Sequence, residues 1–98
     1  MKANAILVDT RDNVLTVVNG VDEGDEVRYC NDGKLHCMTA AEDIPPCNKI
    51  SLEAIEIGGL IIKYGEIIGV ATERIGFGRH VSHMNIGSLP RDYRRELQ

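Results

Sequence analysis

Four times along this chain an apolar residue is followed three positions later by a turn-permissive residue and three further on by a second apolar one. Three copies carry glycine in the middle, at Val21–Gly24–Val27, Ile55–Gly58–Ile61 and Ile75–Gly78–Val81; the fourth, Ile44–Cys47–Ile50, carries cysteine. The physical reading is a tight corner. Its first apolar residue plugs a core, glycine then supplies a backbone angle that other residues resist, and a strand starts at the second apolar position. The spacing between copies is too irregular for a solenoid. One corner reused within a single small β domain satisfies it.

The rest of the pattern agrees. Short β-rich runs are expected at Ala5–Val8, Val14–Val18, Glu26–Cys30, Lys34–Thr39, Lys49–Ile55, Leu60–Lys63, Ile67–Ala71 and His80–Met84, separated by turn formers such as Asn31-Asp32-Gly33, Pro45-Pro46 and Gly65. Helical periodicity is weak, with room for at most one or two short helical turns near Ala40–Asp43 and Thr72–Ile75. The expectation is an all-β, barrel-like or folded-over domain over residues 1–87. An arginine-rich tail over 88–98 follows it, with Arg91, Arg94 and Arg95 interleaved with Asp92 and Glu96.

Composition narrows the partners. A formal charge of −4 over 98 residues argues against a nucleic-acid-binding domain, which is usually basic. No apolar run approaches the roughly 20 residues of a membrane span, and no signal peptide is visible, so the cytoplasm is the expected compartment. The odd cysteine count, Cys30, Cys37 and Cys47, suits reduced thiols acting as small hydrophobes in strands.

Chemistry concentrates between Gly58 and Asn85. Lys63 emerges where the apolar run Leu60–Ile62 ends, and Lys49 stands at the start of another; each either marks the point where a strand reaches water or aims an ammonium into a shared pocket. Asp12-Asn13 suits either a turn or the reading of ligand hydroxyls. His80 offers an imidazole for acid–base work or metal ligation. Strict alternation would send His80 and His83 to opposite faces, with Ser82 and Met84 on the side of His80.

The order of these elements is more specific than any of them alone. Asp12-Asn13-Val14, Asn48-Lys49-Ile50, the block from Ile61 through Lys63-Tyr64-Gly65 to Thr72, and Gly78-Arg79-His80-Val81-Ser82-His83-Met84-Asn85 together resemble the SAF-type domain of altronate and galactarate dehydratases, whose relatives include the small subunit of sulfolactate sulfo-lyase. The resemblance runs from about Ala5 to Asn85. The family commonly reads His-Lys where this chain has Asn48-Lys49, and His-Val-His-x-His-Asn where it has His80 to Asn85, so Ser82 and Met84 replace two histidines.

The resemblance implies a β-clip fold and a hydroxy-acid lyase of the hydro-lyase type, completed by a large catalytic subunit. It also implies a divalent metal, iron or manganese. In that picture His80 is catalytic, and Asp12, Asn13, Lys49, Lys63, Ser82 and Asn85 bind substrate. A non-catalytic module that binds a sugar acid or a partner is the competing expectation, and open strand edges would also suit self-association.

Overall fold

The computed structural model describes residues 2–89, so the expected arginine-rich tail lies, from Pro90 onward, outside the described residues. The described chain is all β and contains no helix. In order the strands are β1 (Ala5–Ile6), β2 (Val14–Val17), β3 (Glu26–Asn31), β4 (Lys34–Thr39), β5 (Asn48–Ser51), β6 (Leu60–Lys63), β7 (Glu66–Ala71), β8 (His80–Val81) and β9 (Ile86–Gly87). They form a four-stranded sheet in the order β1-β2-β5-β8, a β3-β4 hairpin, and a three-stranded sheet in the order β6-β7-β9. Every pairing is antiparallel. The small folded-over β domain expected from the sequence is the one observed.

The four corners organise it. Gly24, Gly58 and Gly78 take φ of +90°, +83° and +79°, and Cys47 takes +63° in the corner that lacks glycine. The leading residues meet in pairs through isolated antiparallel bridges, Val21 with Ile44 and Ile55 with Ile75. Each pair plugs a different core. Val21 and Ile44 pack with Leu15, Val17 and Ile50 in one cluster, whereas Ile55 and Ile75 pack with Val14, Ile61 and Val81 in the other. Val27, Ile50, Ile61 and Val81, which lie within the strands that follow, are each fully buried. Burying a side chain of this size contributes roughly 1.5–3 kcal/mol, so the repeated spacing supplies much of both cores.

The structure refines the sequence reading in detail. The stretches near Ala40–Asp43 and Thr72–Ile75 are bends, not helical turns. Their amides bond to distant carbonyls, Ala41 to Gly78 and Ile75 to Ile55, leaving no local helical ladder. The strand expected to run to Met84 stops at Val81, and the one expected to reach Ile55 stops at Ser51. A ninth strand, β9, pairs with β7 at Ala71↔Ile86 and Val70↔Gly87; a Cβ at Gly69 would stand 2.9 Å from the Gly87 carbonyl oxygen. The cysteines are free, as expected, but all three are exposed. Among the described residues no helix is long and apolar enough to cross a membrane.

Candidate functional site

β6 and β7 are joined by two residues, Tyr64 and Gly65, with φ of +61° and +69°. Paired positive angles make the tight hairpin turn that suits the twist of antiparallel strands. For tyrosine this left-handed conformation costs roughly 1–2 kcal/mol, and a neighbouring carboxylate offsets it. Asp12 is buried and accepts from the amides of Tyr64 (3.1 Å), Gly65 (2.8 Å) and Asp9 (3.1 Å). Next to it, Asn13 donates from its amide nitrogen to the Leu60 carbonyl and accepts from the Ile62 amide, each at 2.8 Å. These two side chains clamp the end of β6, from which Lys63 projects with its Nζ 4.8 Å from the centroid of the Tyr64 ring.

Lys49 lies nearby on β5. Strand register places it in the cross-strand row Ile6–Thr16–Lys49–Val81, and residues so paired share one face of a sheet. Burial first, and then the charge of Lys63, hold the Lys49 ammonium below its ordinary pKa, with Tyr64 opposing. Among the described residues neither lysine forms a salt bridge; the pairs found are Arg11–Asp9, Arg28–Glu26 and Arg74–Glu56, all elsewhere. Lys49 therefore feels a like charge from Lys63, and neither is salt-bridged among the described residues, although Glu66 stands opposite Lys63 across the hairpin.

His80 opens β8 opposite Ile50, one register position from the Val81 that pairs with Lys49, and its imidazole is reached by the Lys49 charge. Its Nε2 lies 2.8 Å from Asn48 Oδ1, and its backbone amide donates to Glu42 Oε2 at 3.0 Å. An amide oxygen can only accept, so Nε2 carries the hydrogen and Nδ1 keeps the lone pair in the neutral ring. Burial pushes the imidazole below its usual pKa; Glu42 works against that shift, while Lys49 and His83 add to it.

β8 ends at Val81, and a turn closed by its own side chains follows. Asn85 accepts from the Ser82 amide (2.9 Å) and donates to the His80 carbonyl (2.7 Å), and Ser82 Oγ accepts from the Met84 amide (3.2 Å). This bend defeats strict alternation and brings His83 round. His83 lines one cleft of about 350 Å³ with His80, Asn48, Glu42 and Met84, and an adjoining one of about 350 Å³ with Lys49, Ile68 and Ile86.

The residues singled out from the sequence therefore divide. Lys49 feels the charge of Lys63, and His80 feels that of Lys49. The polar atoms of Asp12, Asn13 and Asn85 are engaged with backbone, as is Ser82 Oγ, and these four shape the loops around those three. Asn48, Glu42 and His83 complete the surroundings of His80. The first and last were visible as sequence neighbours of the motif, but Glu42, 38 positions from His80, left no sequence signal. Among the described residues no three His, Cys, Asp or Glu side chains gather as a metal ion requires, and Asn48 already occupies His80 Nε2. The described side chains do not by themselves fit the divalent metal expected from the resemblance.

Comparison with known families matches residues 3–89 to the altronate/galactarate dehydratase SAF domain. No curated protein sequence matches the chain.

Proposed function

This chain belongs to the altronate/galactarate dehydratase SAF-domain family, and we propose that it supplies the carboxylate-binding cations of a sugar-acid dehydratase whose site is completed by a large, dehydratase-type subunit. The observation that carries the reading is the pair Lys49 and Lys63, neither salt-bridged among the described residues, with the Lys49 ammonium held below its ordinary pKa by burial and by its neighbour. Like charges beside each other destabilise a free domain, and an anion placed between them reverses the sign. A carboxylate bound there gains charge-assisted hydrogen bonds roughly twice as strong as neutral ones.

The chemistry follows from what dehydration of a hydroxy acid needs. The proton α to the carboxylate leaves, charge builds on the carboxylate as an enolate forms, and the β-hydroxyl departs with a proton. Lys49 and Lys63 hold the carboxylate and take up that developing charge. His80, neutral near pH 7, with Asn48 holding its Nε2 hydrogen, presents Nδ1 as the atom that takes and returns a proton. Any divalent metal would take its ligands from the large subunit. Glu42 and the Ser82–Asn85 turn keep the imidazole in place, and Asp12 and Asn13 do the same for the Lys63 hairpin.

The test is reconstitution with a dehydratase-type large subunit and galactarate as substrate. Turnover should depend on this chain and drop strongly in His80→Ala, whereas Lys49→Met should raise KM most. Turnover by the large subunit that is indifferent to this chain would leave it as a binding module only.

A further inference from the structure

Thr16 stands immediately beside Lys49 in the cross-strand row of the four-stranded sheet, between Ile6 and that lysine. Its Oγ1 is shut off from water and makes no hydrogen bond, a state shared by no other buried side-chain nitrogen or oxygen among the described residues. The contrast with its surroundings is sharp. Ser51, two register steps along the same strand pair, is fully buried, and its hydroxyl donates to the Gly76 carbonyl at 2.6 Å.

An orphaned buried hydroxyl costs free energy that an apolar side chain of the same shape would not. Valine is that side chain, and it has the higher strand preference at a β position. Packing and propensity alone would therefore place valine at position 16, as they do at Val14 and Val17. A hydroxyl that is idle in the free chain is explained if it finds a partner in another state, and the group next to it is a lysine in no salt bridge among the described residues.

We propose that Thr16 is a positioning residue of the anion site: its hydroxyl accepts a hydrogen bond from the Lys49 ammonium once an anionic ligand draws the two lysines together. This rests on the reading of Lys49 and Lys63 as the carboxylate-binding pair. The hydroxyl has a free acceptor lone pair and the ammonium three donors, so one N–H can turn to Thr16 while others face the bound carboxylate. The contact fixes the direction of the ammonium and leaves Lys63 to close the other side of the anion.

The experiment titrates galactarate into the full chain, following the Lys49 side-chain resonances by NMR, for the wild type and for Thr16→Val, Thr16→Ser and Lys49→Met. Thermal unfolding of each free variant runs alongside. Thr16→Val should be at least as stable as the wild type and bind roughly tenfold more weakly, the loss expected for one hydrogen bond to a charged group. Thr16→Ser, which keeps the hydroxyl, should recover most of the affinity; a merely structural role for Thr16 would not give that rescue. Equal affinity in Thr16→Val and wild type, with binding lost in Lys49→Met, overturns the role of Thr16 and leaves the lysine site standing. Binding that is absent in the wild type, or that persists unchanged in Lys49→Met, removes the lysine site and this inference with it.

Discussion

Asp12 and Asn13 on one side, and Lys49 and Lys63 on the other, are polar groups at the same end of the molecule with opposite bookkeeping. Every polar atom of the first pair is matched. The Asp12 carboxylate takes three backbone amides, and the Asn13 amide spans Leu60 and Ile62. The second pair carries two positive charges with no salt-bridge partner among the described residues, and Lys49 is disfavoured by its own surroundings. A group whose valences are saturated inside the chain belongs to the fold. On the proposed reading, one left with unmet charge at a site where that charge is costly serves something outside it.

The most severe way to break this contrast is Asp12→Ala. It strips three backbone amides of a charged acceptor and frees the strained Tyr64-Gly65 turn, so stability should fall by about 3 kcal/mol, read as a lower urea midpoint. Anion binding should weaken as well, because the base of Lys63 loses its anchor. A variant that keeps its midpoint would show that the carboxylate is not what holds the hairpin.

Lys49→Met should do the reverse. Galactarate affinity should drop between roughly tenfold and a hundredfold, the range for hydrogen bonds to charged groups, while the free chain unfolds no more easily than before. The sign follows from the pKa. The folded chain holds Lys49 below its ordinary value of 10.5, so the unfolded chain binds more protons in the window just below 10.5, and stability falls as pH drops through it. At neutral pH the full cost of the charge is present, and removing the charge removes the cost. A loss of stability comparable to that of Asp12→Ala would erase the distinction between the two pairs.

His80 gives a smaller effect of the same sign at a different pH. Its folded pKa also lies below the ordinary 6.5; stability is therefore undiminished above pH 6.5 and declines as pH falls below it, since the unfolded imidazole protonates first. In His80→Gln that part of the acid slope should disappear from a series of urea midpoints taken between pH 7 and 5. An unaltered slope would assign the titration to other groups.

What could be read in the sequence, and what could not, follows from range. The corners were legible because each is local: an apolar plug, a residue at positive φ and a strand start lie within seven positions, and such spacing fixes burial without knowledge of the partner. Lys63 and Lys49 were legible for a related reason, as cations interrupting apolar runs. The roles of Asp12 and Asn13 were not, because Asx residues in a turn look alike whether they face a ligand or reach some fifty positions along the chain to Leu60, Ile62 and Gly65. Alternation separates His80 from His83 only while a strand lasts, and β8 ends at Val81, where a bend begins. That ending is set by Asn85 pulling on the His80 carbonyl, a contact no periodicity reports.

The smallest effect tests whether the corners belong wholly with the saturated side of the comparison. Cys47 leads into β5 and therefore into Lys49, and it holds φ at +63° with a side chain that is exposed and makes only a 3.7 Å sulfur contact to the Val18 carbonyl. Its amide donates to the Val17 carbonyl at 2.8 Å, and that bond survives any substitution that keeps the backbone. Cys47→Gly relieves roughly 1–2 kcal/mol of left-handed strain and gives back about 0.4–1 kcal/mol through the looser unfolded chain. A net gain of about 0.5–1 kcal/mol in stability should follow, with galactarate affinity unchanged. A gain in stability accompanied by weaker binding would mean that strain at this corner helps to aim Lys49, and the line between groups that serve the fold and groups that serve the ligand would then run through the corner itself.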